Sequence, residues 1–198
     1  MELLKQQVSS VAGRRLMEIY ETLFQHFGPQ HWWPGETPFE IVVGAILTQN
    51  TAWKNVEKAI NNLKKANLLT PQALYALPYT YLTQLIRPAG FFNVKAKRLK
   101  HFLHFLFEEY KGDLEKMFAD DTDSLRKKLL GVPGIGPETA DSILLYAGNK
   151  PSFVVDAYTR RILFRHNLIP EEADYEEIRN FFMDHLPEDV QLFNEYHA

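Results

Sequence analysis

Leu129-Leu130-Gly131-Val132-Pro133-Gly134-Ile135-Gly136-Pro137-Glu138-Thr139-Ala140 is the stretch on which the reading of this chain turns. Apolar spacing before and after it is helical, so it reads as a tight turn joining two helices. Gly134 and Gly136 let the backbone take positive φ and pass close to another group. Pro137 stands where a helix favours proline, in its first turn. The N–H groups of such a turn, and of the helix it opens, suit a phosphate oxygen. Val154-Val155-Asp156 follows and sets one carboxylate at the start of the next helix. A phosphate grip with a lone carboxylate nearby points to chemistry on a nucleic acid.

Working outward, the same 3.6-residue periodicity recurs nearly everywhere. Leu16, Ile19, Tyr20, Leu23, Phe24 and Phe27 share one face, and Gly28-Pro29 ends that helix. Phe39 to Leu47 is almost wholly apolar and predicts a buried helix. Thr70-Pro71 reads as a cap and first turn. Val94 to Tyr110 predicts a long helix with Leu99, Phe102, Leu103 and Leu106 inward. Thr122 or Asp123 is expected to cap Ser124 to Leu130, and helices are expected over 137–147, 157–166 and 175–185. No alternating strand pattern, repeat or low-complexity segment is present. The fold class is all-α: two helical lobes, an active-site cleft between them, and a motif of two helices and their turn over about 124–147. Pro/Gly punctuation divides the chain into a terminal lobe, 1–33 plus 149–198, and a central lobe, 34–148.

The 198 residues carry a net charge of −3 and are 45% hydrophobic, enough for a real core. The charge is uneven. From 171 to 198 there are nine Asp/Glu and one Arg, net −8; residues 1–170 carry 21 Lys/Arg and 16 Asp/Glu, net +5. Lys95, Lys97, Arg98 and Lys100 form one basic group, Lys127 and Lys128 another, Arg160, Arg161 and Arg165 a third. Each is either a solvated helix face or part of a polyanion-binding surface. With no cysteine, the chain holds no disulfide and no thiolate-bound zinc or iron–sulfur cluster. The seven histidines make no metal pattern, so no metal site is expected. No apolar run reaches the roughly 18 residues of a membrane span, and Met1 to Arg15 lacks a signal-peptide core. A soluble cytoplasmic protein is expected, nucleoid-associated if bacterial.

Gly131 to Asp141 and the trailing Val154-Val155-Asp156 resemble the helix-hairpin-helix and catalytic aspartate of the endonuclease III superfamily of DNA glycosylases. Trp32-Trp33-Pro34, Leu47-Thr48-Gln49-Asn50-Thr51 and Arg87-Pro88-Ala89-Gly90-Phe91-Phe92-Asn93-Val94-Lys95-Ala96-Lys97-Arg98-Leu99 resemble the branch of bacterial 3-methyladenine DNA glycosylase III. The likeness covers about residues 30 to 166. It implies a base excision repair enzyme acting, as a monomer, on damaged double-stranded DNA.

On that resemblance Asp156 is the catalytic residue. Breaking an N-glycosidic bond builds positive charge on the sugar, and a fixed carboxylate stabilises it and orients water. Asp156 is equally suited to capping the helix at Ala157. Glu138 stands where strand-cutting members carry a lysine that forms a Schiff base. A glutamate forms no imine, so the expected enzyme is monofunctional; the residue also suits a helix N-terminus by charge alone. Trp32 and Trp53 match the pair that sandwiches the flipped base, with Trp33 and Pro34 on the same wall. Stacking on an alkylated, cationic purine adds about 0.5–2 kcal/mol of cation–π attraction. Core packing is the plain alternative for the tryptophans. Gln49 matches the wedge that fills the vacated space, with turn-capping as its alternative.

Asn50, Gly134, Ile135, Gly136, Thr139, Lys95, Lys97 and Arg98 complete the expected DNA contacts. A monovalent cation at the hairpin is a further expectation of the resemblance, and no other cofactor is expected. Glycosylases for oxidised bases, uracil or mismatches remain open, as does a non-catalytic DNA-binding module. Asp156 and the two tryptophans argue against the last, because backbone binding requires neither.

Overall fold

The computed structural model describes residues 8–198, so the first seven residues of the polar N-terminal stretch lie outside it. Among the described residues there are twelve α-helices and no strand. The chain divides into two compact units, residues 1–33 with 149–198, and residues 34–148.

The larger unit, 34–148, is built on α2 (Pro38–Thr48). Thr37 caps it, accepting from the Glu40 N–H at 3.1 Å, and Pro38 opens its first turn. Val42, Val43, Ile46 and Leu47 are wholly buried, as an all-round apolar helix requires. Around it pack α3 (Trp53–Lys65), α6 (Phe92–Tyr110) and a π-helical turn over Ile143–Ala147. The short helices α4 (Pro71–Ala76) and α5 (Tyr79–Leu85) cover one side of α6. Then come α7 (Leu114–Ala119), α8 (Thr122–Leu130) and α9 (Pro137–Ser142). Helices α8 and α9, with 131–136 between them, form the helix-hairpin-helix.

Two details differ from the sequence reading. Asp121, one residue ahead of the expected cap, caps α8 by accepting from the Ser124 N–H at 2.9 Å. The helix expected over 137–147 is α-helical only to Ser142 and then widens into the π-turn.

The other unit holds α1 (Val11–Phe27), α10 (Ala157–Arg165), α11 (Tyr175–His185) and α12 (Val190–His197). Phe153 and Phe182 stack with centroids 3.7 Å apart, and Phe193 meets Phe153 edge-on at 5.4 Å. All three are fully buried, and each contributes roughly 1.5–3 kcal/mol by leaving water. No helix among the described residues is long and apolar enough to cross a membrane.

Candidate active site and nucleic-acid interface

In the larger unit the hairpin is closed by Ile135 N–H donating to Val132 O at 3.0 Å. Ile135 is buried and plugs the turn into the unit. Gly134 has φ +94°, and a Cβ there would stand 2.3 Å from Arg98 Cγ. Only glycine satisfies both conditions. A Cβ on Gly136 would meet nothing within 4 Å, so that part of the turn is open to an approaching group.

Helix α6 supports the turn from below. The Arg98 side chain lies against Gly134 and donates to Gln49 Oε1. A hydrogen bond joins His101 Nδ1 and Pro133 O at 2.9 Å. Gln49 Nε2 donates to Gly134 O at 3.0 Å and to Thr139 Oγ1 at 2.9 Å. The Gln49 amide therefore ties α2 to the hairpin and to α9. Arg98 and Thr139 belong to the same network, and Thr139 is buried. Asn50 is exposed beside Gln49 with φ +53°, a conformation asparagine tolerates. Lys97 is exposed on α6.

Lys95 requires a correction. It is 1% exposed, and its ammonium donates to Leu47 O at 2.8 Å, Ala89 O at 2.7 Å and Thr51 Oγ1 at 2.7 Å. Burial, with the Arg98 charge adding to it, pulls its pKa down to about 8. All three donors serve acceptors within the unit, Leu47 O, Ala89 O and Thr51 Oγ1, and none is left for a phosphate. One position in an apparently basic run faces inward because the helical period places it on the side of Ala96, Leu99 and Phe102.

Glu138 is exposed in the first turn of α9. Three residues on, Asp141 is fully buried and takes a bidentate grip from Arg126 of α8, Nε to Oδ1 at 2.8 Å and Nη2 to Oδ2 at 3.0 Å. This pair clamps the two helices of the motif. Trp53 is half-buried at the first position of α3, and Pro34 is exposed. Phe91, not singled out in the sequence, is 70% exposed at the N-cap of α6 with φ +43°.

In the smaller unit Asp156 caps α10. Its Oδ1 accepts from the Thr159 N–H at 2.7 Å and from Thr159 Oγ1 at 2.9 Å. One carboxylate oxygen is thus fixed by the helix. Asp156 lines a cavity of about 410 Å³ together with Phe27, Tyr158, Glu195, Tyr196 and His197. Burial holds the His197 imidazole below its ordinary pKa, and the Asp156 carboxylate opposes that shift. Trp32 and Trp33 are half-buried, with ring centroids 5.2 Å apart, and the peptide between them is cis. Among the described residues no three His, Cys, Asp or Glu side chains gather where they could hold a metal ion.

The family model described as "HhH-GPD superfamily base excision DNA repair protein" matches residues 43–188. The chain belongs to the HhH-GPD superfamily. It is a base excision repair DNA glycosylase. A protein of Methanocaldococcus jannaschii, named a putative DNA repair glycosylase, is 52% identical over 92% of this chain and 84% of its own length. Endonuclease III of Thermotoga maritima is 32% identical over 77% of this chain and 67% of its own. Among solved structures, H. pylori 3-methyladenine DNA glycosylase bound to 1,N6-ethenoadenine superposes with a TM-score of 0.79 at 30% identity. That match covers 94% of this chain and 93% of that one. An endonuclease III–DNA covalent intermediate shares the fold, with a TM-score of 0.80 at 21% identity. The matched residues include the 131–136 turn and Asp156.

Proposed function

We propose that this HhH-GPD glycosylase hydrolyses the N-glycosidic bond of an alkylated purine such as 3-methyladenine in duplex DNA, leaving an abasic site in an uncut strand. The observation that carries the proposal is Glu138, exposed in the first turn of α9 at the position where strand-cutting members hold lysine. A carboxylate there cannot capture the sugar as an imine, which leaves water as the nucleophile. The 30% identity to the H. pylori 3-methyladenine glycosylase, over nearly the whole of both chains, supports the substrate class.

Asp156 Oδ1 is held by Thr159, so the carboxylate meets the developing oxocarbenium charge without reorganising. It also orients the attacking water. The resemblance assigns Trp32, Trp53, Trp33, Pro34 and Glu138 to recognition of the flipped base. The hairpin grips a phosphate through main-chain N–H groups, which gives affinity without sequence preference. Asn50, Lys97 and Arg98 add contacts, and the outward Phe91 is an apolar wedge for a base step. Gln49 reaches the gap in the helix once DNA replaces its bonds to Gly134 and Thr139.

A monovalent cation at the hairpin would be held by main-chain carbonyl oxygens. Pro133 O and Gly134 O already take side-chain partners, so the donor set fits in part. The cation would supply positive charge facing a phosphate. The enzyme acts as a monomer, in the cytoplasm or on the nucleoid.

The 32% identity to Thermotoga maritima endonuclease III favours a second reading, an oxidised, deaminated or mismatched base. A panel of duplexes, each with one lesion, assayed for free base and for strand nicking separates the two. Release of 3-methyladenine without nicking is expected. Excision confined to oxidised, deaminated or mismatched bases refutes the substrate class, and binding with no excision refutes the enzyme.

A further inference from the structure

The segment that carries Trp32 and Trp33 has no helix or sheet to hold it. Residues 28–35 form no regular element, and His31 stands at φ +53°. What fixes this segment comes from the other end of the chain. Glu195 of α12 is 9% exposed. Its Oε2 accepts from the Gln30 N–H at 2.7 Å, and its Oε1 accepts from the His31 N–H at 3.2 Å. Both oxygens of one buried carboxylate thus capture two successive main-chain N–H groups immediately ahead of Trp32. Charge-assisted bonds of this kind are shorter and about twice as strong as neutral ones. Helix α12 is itself anchored: Asp189 caps it through the Leu192 N–H at 2.7 Å, and the Tyr196 hydroxyl donates to Leu16 O at 2.9 Å.

We infer that Glu195 is a positioning residue for base recognition, a carboxylate latch that sets the Trp32 indole for stacking on the flipped base. The inference rests on the assignment of Trp32 to the base pocket. A carboxylate suits the task because it offers an acceptor to each N–H and no donor to clash with either. Glutamine keeps the shape but turns an amide NH2 toward one of the two N–H groups. Loosening a base-stacking ring by about 1 Å is enough to lower excision about a hundredfold.

The test compares the parent, Glu195→Gln, Trp32→Ala and the double variant by single-turnover excision from a duplex holding one 3-methyladenine. Affinity for an undamaged duplex is measured alongside, and each variant's folding is checked by circular dichroism. Glu195→Gln is expected to lower the excision rate between tenfold and a hundredfold, to leave affinity for undamaged DNA within twofold, and to have little further effect once Trp32 is alanine. A folded Glu195→Gln that excises at the parent rate while Trp32→Ala is impaired overturns the latch and leaves the pocket standing. An equal loss in both backgrounds also overturns it, because Glu195 would then act only on the fold. Full excision by Trp32→Ala overturns the pocket assignment and the latch with it. Should Glu195→Gln not fold, Glu195→Asp, which keeps both acceptors on a shorter stem, serves in its place with the same outcomes.

Discussion

Lys95→Met distinguishes a lysine that holds the fold from one that holds DNA. Methionine keeps most of the stem volume and removes the ammonium. Ala89 O keeps a donor, the Thr51 hydroxyl at 2.7 Å. Leu47 O, near the C-terminal end of α2, loses the Lys95 ammonium. A buried carbonyl left without its donor costs about 1–3 kcal/mol; below pH 8, removal of the buried charge offsets part of that loss.

The pH dependence sharpens the test. The folded pKa, about 8, lies below the ordinary lysine value of 10.5, so the unfolded chain binds the proton more tightly. The cost of burying the charge is fully present below pH 8 and disappears as pH rises through 10.5. The parent's advantage over Lys95→Met should therefore widen above pH 8, by up to about 3 kcal/mol. Urea denaturation of both proteins at pH 7 and 9.5 reads this difference, and their comparison cancels the other groups that titrate there. Duplex affinity against salt concentration supplies the second arm. A lysine on a phosphate contributes about −0.9 to the slope of log K against log salt, and Lys95→Met should leave that slope unchanged. A stability difference that does not change between pH 7 and 9.5, with a shallower slope, would refute the structural role.

The remaining predictions concern the hairpin, its clamp and the acid side of the pH range. Gly134→Ala forces a side chain into φ +94° and against Arg98; it should cost about 1–3 kcal/mol in thermal unfolding and weaken duplex binding in a gel-shift titration. Arg126→Met leaves the wholly buried Asp141 without its bidentate partner, and chemical denaturation should show a loss of about 3–5 kcal/mol at pH 7. The folded His197 pKa is lowered by burial, so stability contributed by its neutral form is present near pH 7 and is lost as pH falls below about 6.5. His197→Gln should flatten that acid-side loss in a melting series from pH 7.5 to 5.

Much of the architecture is written in local signals. Thr70-Pro71 marks a helix start through its own hydroxyl cap. The glycines of 131–136 announce a turn, and Asp156 announces a cap. What a basic run masks is direction. Lys95 and Lys97 differ by two residues, and the helical period that sets Lys95 beside Leu99 and Phe102 sends one into the core and the other to solvent. Gln49 reads as a wedge or a turn cap, and its bonds to Arg98, Gly134 and Thr139 emerge only on folding. Glu195 carries no local signal at all. Its partners, Gln30 and His31, lie 165 and 164 positions away, and periodicity gives no information over that distance.

The most direct test of the account is single-turnover base release by Asp156→Asn. Asparagine retains the Oδ1 acceptor for Thr159 and ranks with aspartate as a helix cap, so the variant should melt within about 1 kcal/mol of the parent. The parent should release free alkylated base from the duplex and leave an intact, alkali-labile strand. The variant should be slower by about 10²–10⁴-fold. A folded Asp156→Asn protein that releases the base at the parent's rate would contradict the central claim.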